Sequence, residues 1–265
     1  MSRIQEKFRH CKEQSRKVLV SFVTAGDPST GHTVPALHAL VRGGVDVLEL
    51  GIPFSDPEAE GPSIQKSSER ALENGVSLDV VLQMVEKFRE KDSETPIVLM
   101  GYLNSILAMD DFPEIASKSG VDGVIIVNLP PEEAQELQSE LADNEIDLVY
   151  LLAPTTTEER STFIAKKATG FLYYVSLKGI TGAGHIEIDE VATKISWLRS
   201  ITDLPLCVGF GIKGPETAVA IGKFSDGVVV GSALVDLMSN CVDVEKAEHE
   251  LELAARNLRE ALDSI

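Results

Sequence analysis

The sequence predicts an α/β protein, a closed (β/α)8 TIM barrel with an extra N-terminal helix. Three observations lead there: eight short apolar runs, segments of helical period between them, and a length that suits one barrel. The chain has 265 residues, close to the roughly 250 such a barrel uses. The runs span residues 18–24, 45–50, 96–100, 123–127, 148–152, 171–175, 206–209 and 227–230. Most are apolar throughout, as strands covered on both faces are. No linker or low-complexity tract divides the chain, so residues 1–265 are expected to form a single domain. A doubly wound open sheet is the alternative; the strand count and the glycines after the last two runs favour the barrel.

Each element has its own signal. Ile4, Phe8 and Cys11 have helical spacing and predict an extra helix across the barrel floor. Gly44-Val45-Asp46 and Gly120-Val121-Asp122 repeat one device, in which glycine ends a helix and Val-Asp opens a strand. Val80, Val81, Met84, Val85 and Phe88 form an apolar stripe behind Ser77, which suits an N-cap. Pro131 suits the first turn of a helix with Ala134, Leu137 and Leu141 on one face. Thr156 and Glu159 have capping-box spacing ahead of Phe163 and Ile164. Ala247, Leu251, Ala254, Leu258 and Leu262 mark a long C-terminal helix.

Composition narrows the function. The formal charge of −18 repels polyanions on average, so no nucleic acid and no anionic membrane surface is expected as a partner. A small phosphate ester is still compatible, because local backbone dipoles can outweigh a diffuse charge. Cys11, Cys207 and Cys241 are odd in number and form no CxxC pair, which argues for a reducing compartment with no disulfide framework and no metal site. The first residues are charged rather than signal-like, and no apolar run nears the roughly 20 residues of a spanning helix. A cytoplasmic location is expected.

A barrel carries its chemistry at the C-terminal ends of its strands. Glu49 stands inside the apolar run Leu48-Glu49-Leu50, where its carboxylate must face the barrel mouth or be costly to bury. Burial would raise its pKa and suit it to acid–base work; the alternative is a core acid satisfied by hydrogen bonds. The loop that follows carries Asp56, Glu58 and Glu60 among prolines and glycines. Val208-Gly209-Phe210-Gly211 and Val230-Gly231-Ser232 end the seventh and eighth runs, where backbone N–H groups and a helix start can grip phosphate. Residues 176–184 hold three glycines and Lys178, a composition that suits a closing lid or a plain surface loop. The residues alone therefore point to carboxylate chemistry on a phosphorylated small molecule.

The whole chain resembles the tryptophan synthase α subunit family. The strongest match is residues 48–65; 22–28, 100–104, 129–133, 173–182, 208–212 and Gly231-Ser232 support it, and together they cover seven of the eight strand ends in order. The resemblance implies a carbon–carbon lyase that splits indole-3-glycerol phosphate into indole and glyceraldehyde 3-phosphate. It implies Glu49 as the catalytic acid–base residue and Glu60 in the second acidic position. Phe22, Tyr102, Tyr173, Thr181 and Phe210 would surround the indole ring, and Gly182, Gly211, Gly231 and Ser232 would hold the phosphate. No cofactor is implied in this chain; pyridoxal phosphate would sit in a β subunit, the partner of an α2β2 heterotetramer. The loops 53–62 and 104–112 would meet that partner. Glu60 stands where the family typically has aspartate, Asn128 where it usually has another aspartate, and Glu58 where it has leucine or methionine. These departures are expected to affect turnover more than identity, and Glu60 and Asn128 to be coupled. The main alternative is a weakly active or inactive subunit that chiefly activates its partner; another phosphosugar enzyme lacks support at residues 49–65.

Overall fold

Strands that are apolar on both faces need cover on both, and the chain provides it by closing a parallel sheet on itself inside a ring of helices. The computed structural model describes residues 2–176, 188–209 and 211–265. Its strands are β1 (Val18–Thr24), β2 (Val47–Gly51), β3 (Ile97–Gly101), β4 (Gly123–Ile126), β5 (Asp147–Leu152), β6 (Leu172–Val175), β7 (Leu206–Gly209) and β8 (Gly227–Val230). They form a closed barrel in sequence order, each pair parallel, with β8 returning to β1. Before the third strand lie helices α1 (Arg3–Glu13), α2 (Thr30–Arg42), α3 (Pro62–Glu73) and α4 (Leu78–Arg89). Then come α5 (Leu103–Leu107), α6 (Phe112–Ser119), α7 (Gln135–Asp143), α8 (Glu158–Ala165) and α9 (Ile188–Leu198). The last three are α10 (Pro215–Gly222), α11 (Ser232–Ser239) and α12 (Val244–Leu262).

Alternation along the strands separates two cores. Leu19, Leu48, Leu99, Leu148 and Val228 join the outer layer beneath the helices. Val20, Val47, Val98, Ile125, Val149, Cys207 and Val229 fill the barrel together with Ile4, Phe8 and Cys11 of α1. The Phe8 and Phe171 rings lie 5.5 Å apart, and Ile4 reaches Gly123 at the start of β4, so α1 closes the floor as its spacing predicts. Aspartates, two of them buried and Asp226 half-buried, tie the strand starts there. The carboxylates of Asp46, Asp122 and Asp226 accept hydrogen bonds from the backbone N–H of Leu19, Ile97 and Leu206, each at the entrance of the preceding strand. This explains the repeated Val-Asp: the aspartate clamps the strand before its own. Arg259 and Arg16 pair with Asp46, and Arg89 with Asp122, which offsets the desolvation of those carboxylates.

Two helix starts differ from expectation. The α7 helix begins at Gln135, leaving Pro131 in a turn ahead of it. The α8 cap is Thr157, whose hydroxyl accepts from the Arg160 N–H, because Thr156 already accepts from Ala153 within the preceding turn. Ser77 does cap α4, and α12 buries Ala247, Leu251, Leu258 and Leu262. Among the described residues no helix is long and apolar enough to cross a membrane.

Candidate active site

Glu49 is two residues beyond Val47 on β2 and so faces the barrel interior, level with Phe22 on β1 and Val98 on β3. It is 1% exposed. Among the described residues its Oε2 has no hydrogen-bond partner, and no cation offsets the burial. Desolvation, with the nearby Glu60 charge adding to it, pushes the carboxyl up to about 8.

Glu60 reaches the same mouth from the loop between β2 and α3. Asp56 and Glu58 of that loop are exposed, whereas Glu60 is 4% exposed and its Oε2 also lacks a partner among the described residues. Burial raises it to about 7. The loop backbone is fixed from three sides. The Ala59 N–H donates to the Tyr102 hydroxyl at 3.1 Å, the Glu60 N–H donates to the Pro57 carbonyl, and Gln65 Nε2 donates to the Glu60 carbonyl at 2.8 Å. The Tyr102 ring stacks on Phe54 with centroids 4.8 Å apart, so one side chain holds both ends of the loop.

Between the ends of β1, β2 and β3 lies a cavity whose walls include Phe22, Ile64, Met100 and Tyr102, with Glu60 as its acid. Aromatic and aliphatic walls with one carboxyl suit a flat apolar ring bearing a single donor. Tyr173 stands across the barrel on β6, buried, its hydroxyl raised by burial first and by the charges of Glu49 and Glu60 next. It lies over Gly209: a Cβ there would stand 2.3 Å from the Tyr173 oxygen, so only glycine leaves the ring its place. Gly51 does the same for Phe22, where a Cβ would meet the ring at 2.6 Å.

The other end of the mouth is built from backbone. Gly211 has φ 79°, and Gly231 caps α11, of which Ser232 is the first residue. A helix start presents N–H groups without helical partners and the positive end of its dipole. The base of the Phe22 side chain, its Cβ and Cγ, lies close to Gly231 while the far edge of its ring covers Gly51, so this residue spans from the anion end to the acid end.

The structure thus brings Phe22, Glu49, Glu60, Tyr102, Tyr173, Gly231 and Ser232 to one end of the barrel. Lys178, Thr181, Gly182 and Phe210 lie outside the described residues. Asn128 is exposed, and its Oδ1 accepts from the Leu103 N–H at 2.8 Å, capping the start of α5. Phe54, Ile64 and Met100 were not foreseen from sequence. Met100 had a signal, since it follows Val98 at strand spacing on the inward face; Phe54 and Ile64 had none.

Comparison with known proteins agrees with this arrangement along the chain. Residues 8–263 match the family model described as tryptophan synthase alpha chain. The tryptophan synthase alpha chain of Marinobacter nauticus is 50% identical, the match covering 100% of this chain and 99% of that one. Its counterpart from Cupriavidus pinatubonensis is 49% identical, with both chains covered in full. The crystal structure of tryptophan synthase subunit alpha from Legionella pneumophila superposes with a TM-score of 0.92 at 42% identity, covering 100% of each chain. A chain of Mycobacterium tuberculosis tryptophan synthase superposes with a TM-score of 0.88 at 30% identity, covering 98% of each.

Proposed function

The chain belongs to the tryptophan synthase alpha chain family and cleaves indole-3-glycerol phosphate to indole and glyceraldehyde 3-phosphate; we propose that Glu49 and Glu60 carry the proton chemistry of that cleavage. The observation behind this reading is the pair of buried carboxyls, each with an unpartnered oxygen, at the mouth of one barrel.

The reaction is a retro-aldol cleavage. Indole leaves poorly until its C3 is protonated, and protonation there places positive charge on the ring nitrogen. Glu49, held protonated near neutral pH by its burial, donates to C3. Its carboxylate then takes the proton from the adjacent glycerol hydroxyl as the C–C bond breaks and the aldehyde forms. The hydroxyl proton in effect ends on indole C3, and Glu49 returns to its starting state. Glu60, the weaker base to protonate, accepts from the ring N–H and stabilises the cation. In a desolvated site such a carboxylate acts more strongly than in water. Phe22, Tyr102, Tyr173, Thr181 and Phe210 hold the ring, and Gly182, Gly211, Gly231 and Ser232 hold the phosphate.

An alpha chain implies a β-subunit partner. We read the assembly as an α2β2 heterotetramer in the cytoplasm, with the pyridoxal phosphate in the partner and indole passed to it past the loops 53–62 and 104–112. No observation favours a weakly active or inactive chain that mainly binds and activates its partner.

Glu49→Gln tests the assignment, since the amide keeps the shape and removes the acid. Indole release should fall by about 10²–10⁴, the range of positioned acid–base catalysis, while affinity for a glycerol-phosphate analogue is retained. Release near the wild-type rate would remove Glu49 from the mechanism.

A further inference from the structure

The α3 helix begins two residues after Glu60, so wherever α3 sits, Glu60 follows. Yet α3 buries only Ser67, Ser68 and Ala71, with no large apolar side chain among them. Surface helices ordinarily dock through an apolar stripe. Here one half-buried apolar side chain, Ile64, meets the barrel core, and the rest of the stripe is polar. Ser67, Arg70 and Asn74 recur at i, i+3 and i+7, and all three reach the segment that ends β1 and leads into α2. The hydroxyls of Ser67 and Thr24 are 2.6 Å apart, both buried. Arg70 grips both oxygens of Asp27, at 2.6 Å and 3.0 Å, and Asp27 is fully buried. Asn74 Nδ2 donates to the carbonyls of Gly26 and Pro28, at 3.0 Å and 2.9 Å.

We propose that this polar ladder, Ser67–Thr24, Arg70–Asp27 and Asn74–Gly26/Pro28, is the positioning device that sets Glu60 in the barrel mouth, with Asp27 and Arg70 as its principal positioning residues. Apolar contacts are non-directional and let a helix slide along its partner, whereas a bidentate arginine–carboxylate pair fixes both distance and angle. The pair has the geometry for it: a fully buried acceptor in the turn that follows β1, and a donor two turns along the helix that Glu60 leads into. No side chain of the ladder needs to touch substrate through Asp27 or Arg70, so these two act through Glu60. The inference rests on Glu60 being one of the working acids.

Two variants, Asp27→Asn and Arg70→Lys, test it in the full chain, because each keeps a hydrogen bond and loses the bidentate charge pair. Each should lower kcat about tenfold or more, since a misplacement of about 1 Å can cost on the order of 10² in rate. KM should stay within about twofold, because the anion end of the site is built from other strands. Carbon-13 NMR of labelled glutamate carboxyls, with Glu60 assigned from Glu60→Gln, should show the Glu60 titration moving down towards the ordinary range as the side chain gains water. A merely stabilising ladder would change the melting temperature and leave that titration where it is. Folded variants with wild-type kcat and an unmoved Glu60 titration would overturn the proposal. If both variants fail to fold, Ser67→Ala and Asn74→Ala are read by the same two measurements, and the same result in them overturns it. Glu60→Gln with undiminished kcat would instead remove Glu60 from the mechanism, while the titration would still report whether the ladder positions it.

Discussion

Replacing Glu49 by glutamine should make the protein more stable at alkaline pH, and the size follows from the burial of this one group. Its carboxyl titrates near 8 in the folded chain against an ordinary value of 4.5. Below 4.5 the acid is neutral in both states and burying it carries no charge penalty. Between 4.5 and 8 the unfolded chain ionises and the folded one does not, so the folded state holds the extra proton and stability falls as pH rises. Above 8 both states are ionised and the loss is complete. The difference is about 3.5 units, which at 1.36 kcal/mol each is about 5 kcal/mol. That is a large share of the roughly 5–15 kcal/mol that holds a typical domain folded. Glutamine never ionises and is free of the penalty. Urea unfolding of both proteins should give nearly equal stabilities at pH 4.5 and a gap that favours the variant by several kcal/mol at pH 9. Part of the pH dependence survives in the variant because Glu60, near 7, has its own window between 4.5 and 7. An equal gap at the two pH values would show that the Glu49 carboxyl is not desolvated in the folded chain, and the mechanism built on its raised pKa would fall with it.

Two further outcomes are expected. Ser232→Asp places a negative charge at the first residue of α11, where a phosphate would meet the helix start, so KM for the substrate should rise at least about tenfold by like-charge repulsion while Glu49 chemistry is untouched; an unchanged KM in a steady-state indole assay would put the phosphate elsewhere. In a double-mutant cycle of Glu60→Asp and Asn128→Asp on kcat/KM, the coupling energy should be below about 0.5 kcal/mol, because Asn128 is exposed with its amide oxygen engaged by the Leu103 N–H, while Glu60 is buried; a larger value would show that the two positions are coupled.

The barrel was legible because its signal is local. A strand covered on both faces must be apolar at nearly every position, and Val18–Thr24 or Leu206–Gly209 announce that without help from the rest of the chain. Glu49 was legible for the complementary reason, as an acid well inside such a run rather than at its start, where Asp46 and Asp147 stand. Thr156 misled because two adjacent threonines offer the same hydroxyl, and only the turn back to Ala153 decides which remains free to cap α8.

Glu60 shows where local reading ends. Asp56, Glu58 and Glu60 alternate along one loop with nothing in their own neighbourhood to separate them, yet two are exposed and one is buried. What separates them is tertiary: the Tyr102 hydroxyl, which takes the Ala59 N–H, and the docking of α3 just beyond. The docking signal was itself present as Ser67, Arg70 and Asn74 on one helical face, but a search for apolar periodicity passes over a polar stripe. The two facts have one physical cause. A buried acid with an unpartnered oxygen is unstable where it stands, and an element held only by apolar contacts would drift until that oxygen found water. Directional bonds to a barrel strand oppose the drift. Where a chain must hold a charge-bearing group in an unfavourable place, the element that carries it is better fastened by hydrogen bonds than by grease, and a helix with a polar stripe beside a buried acid is the pattern to look for.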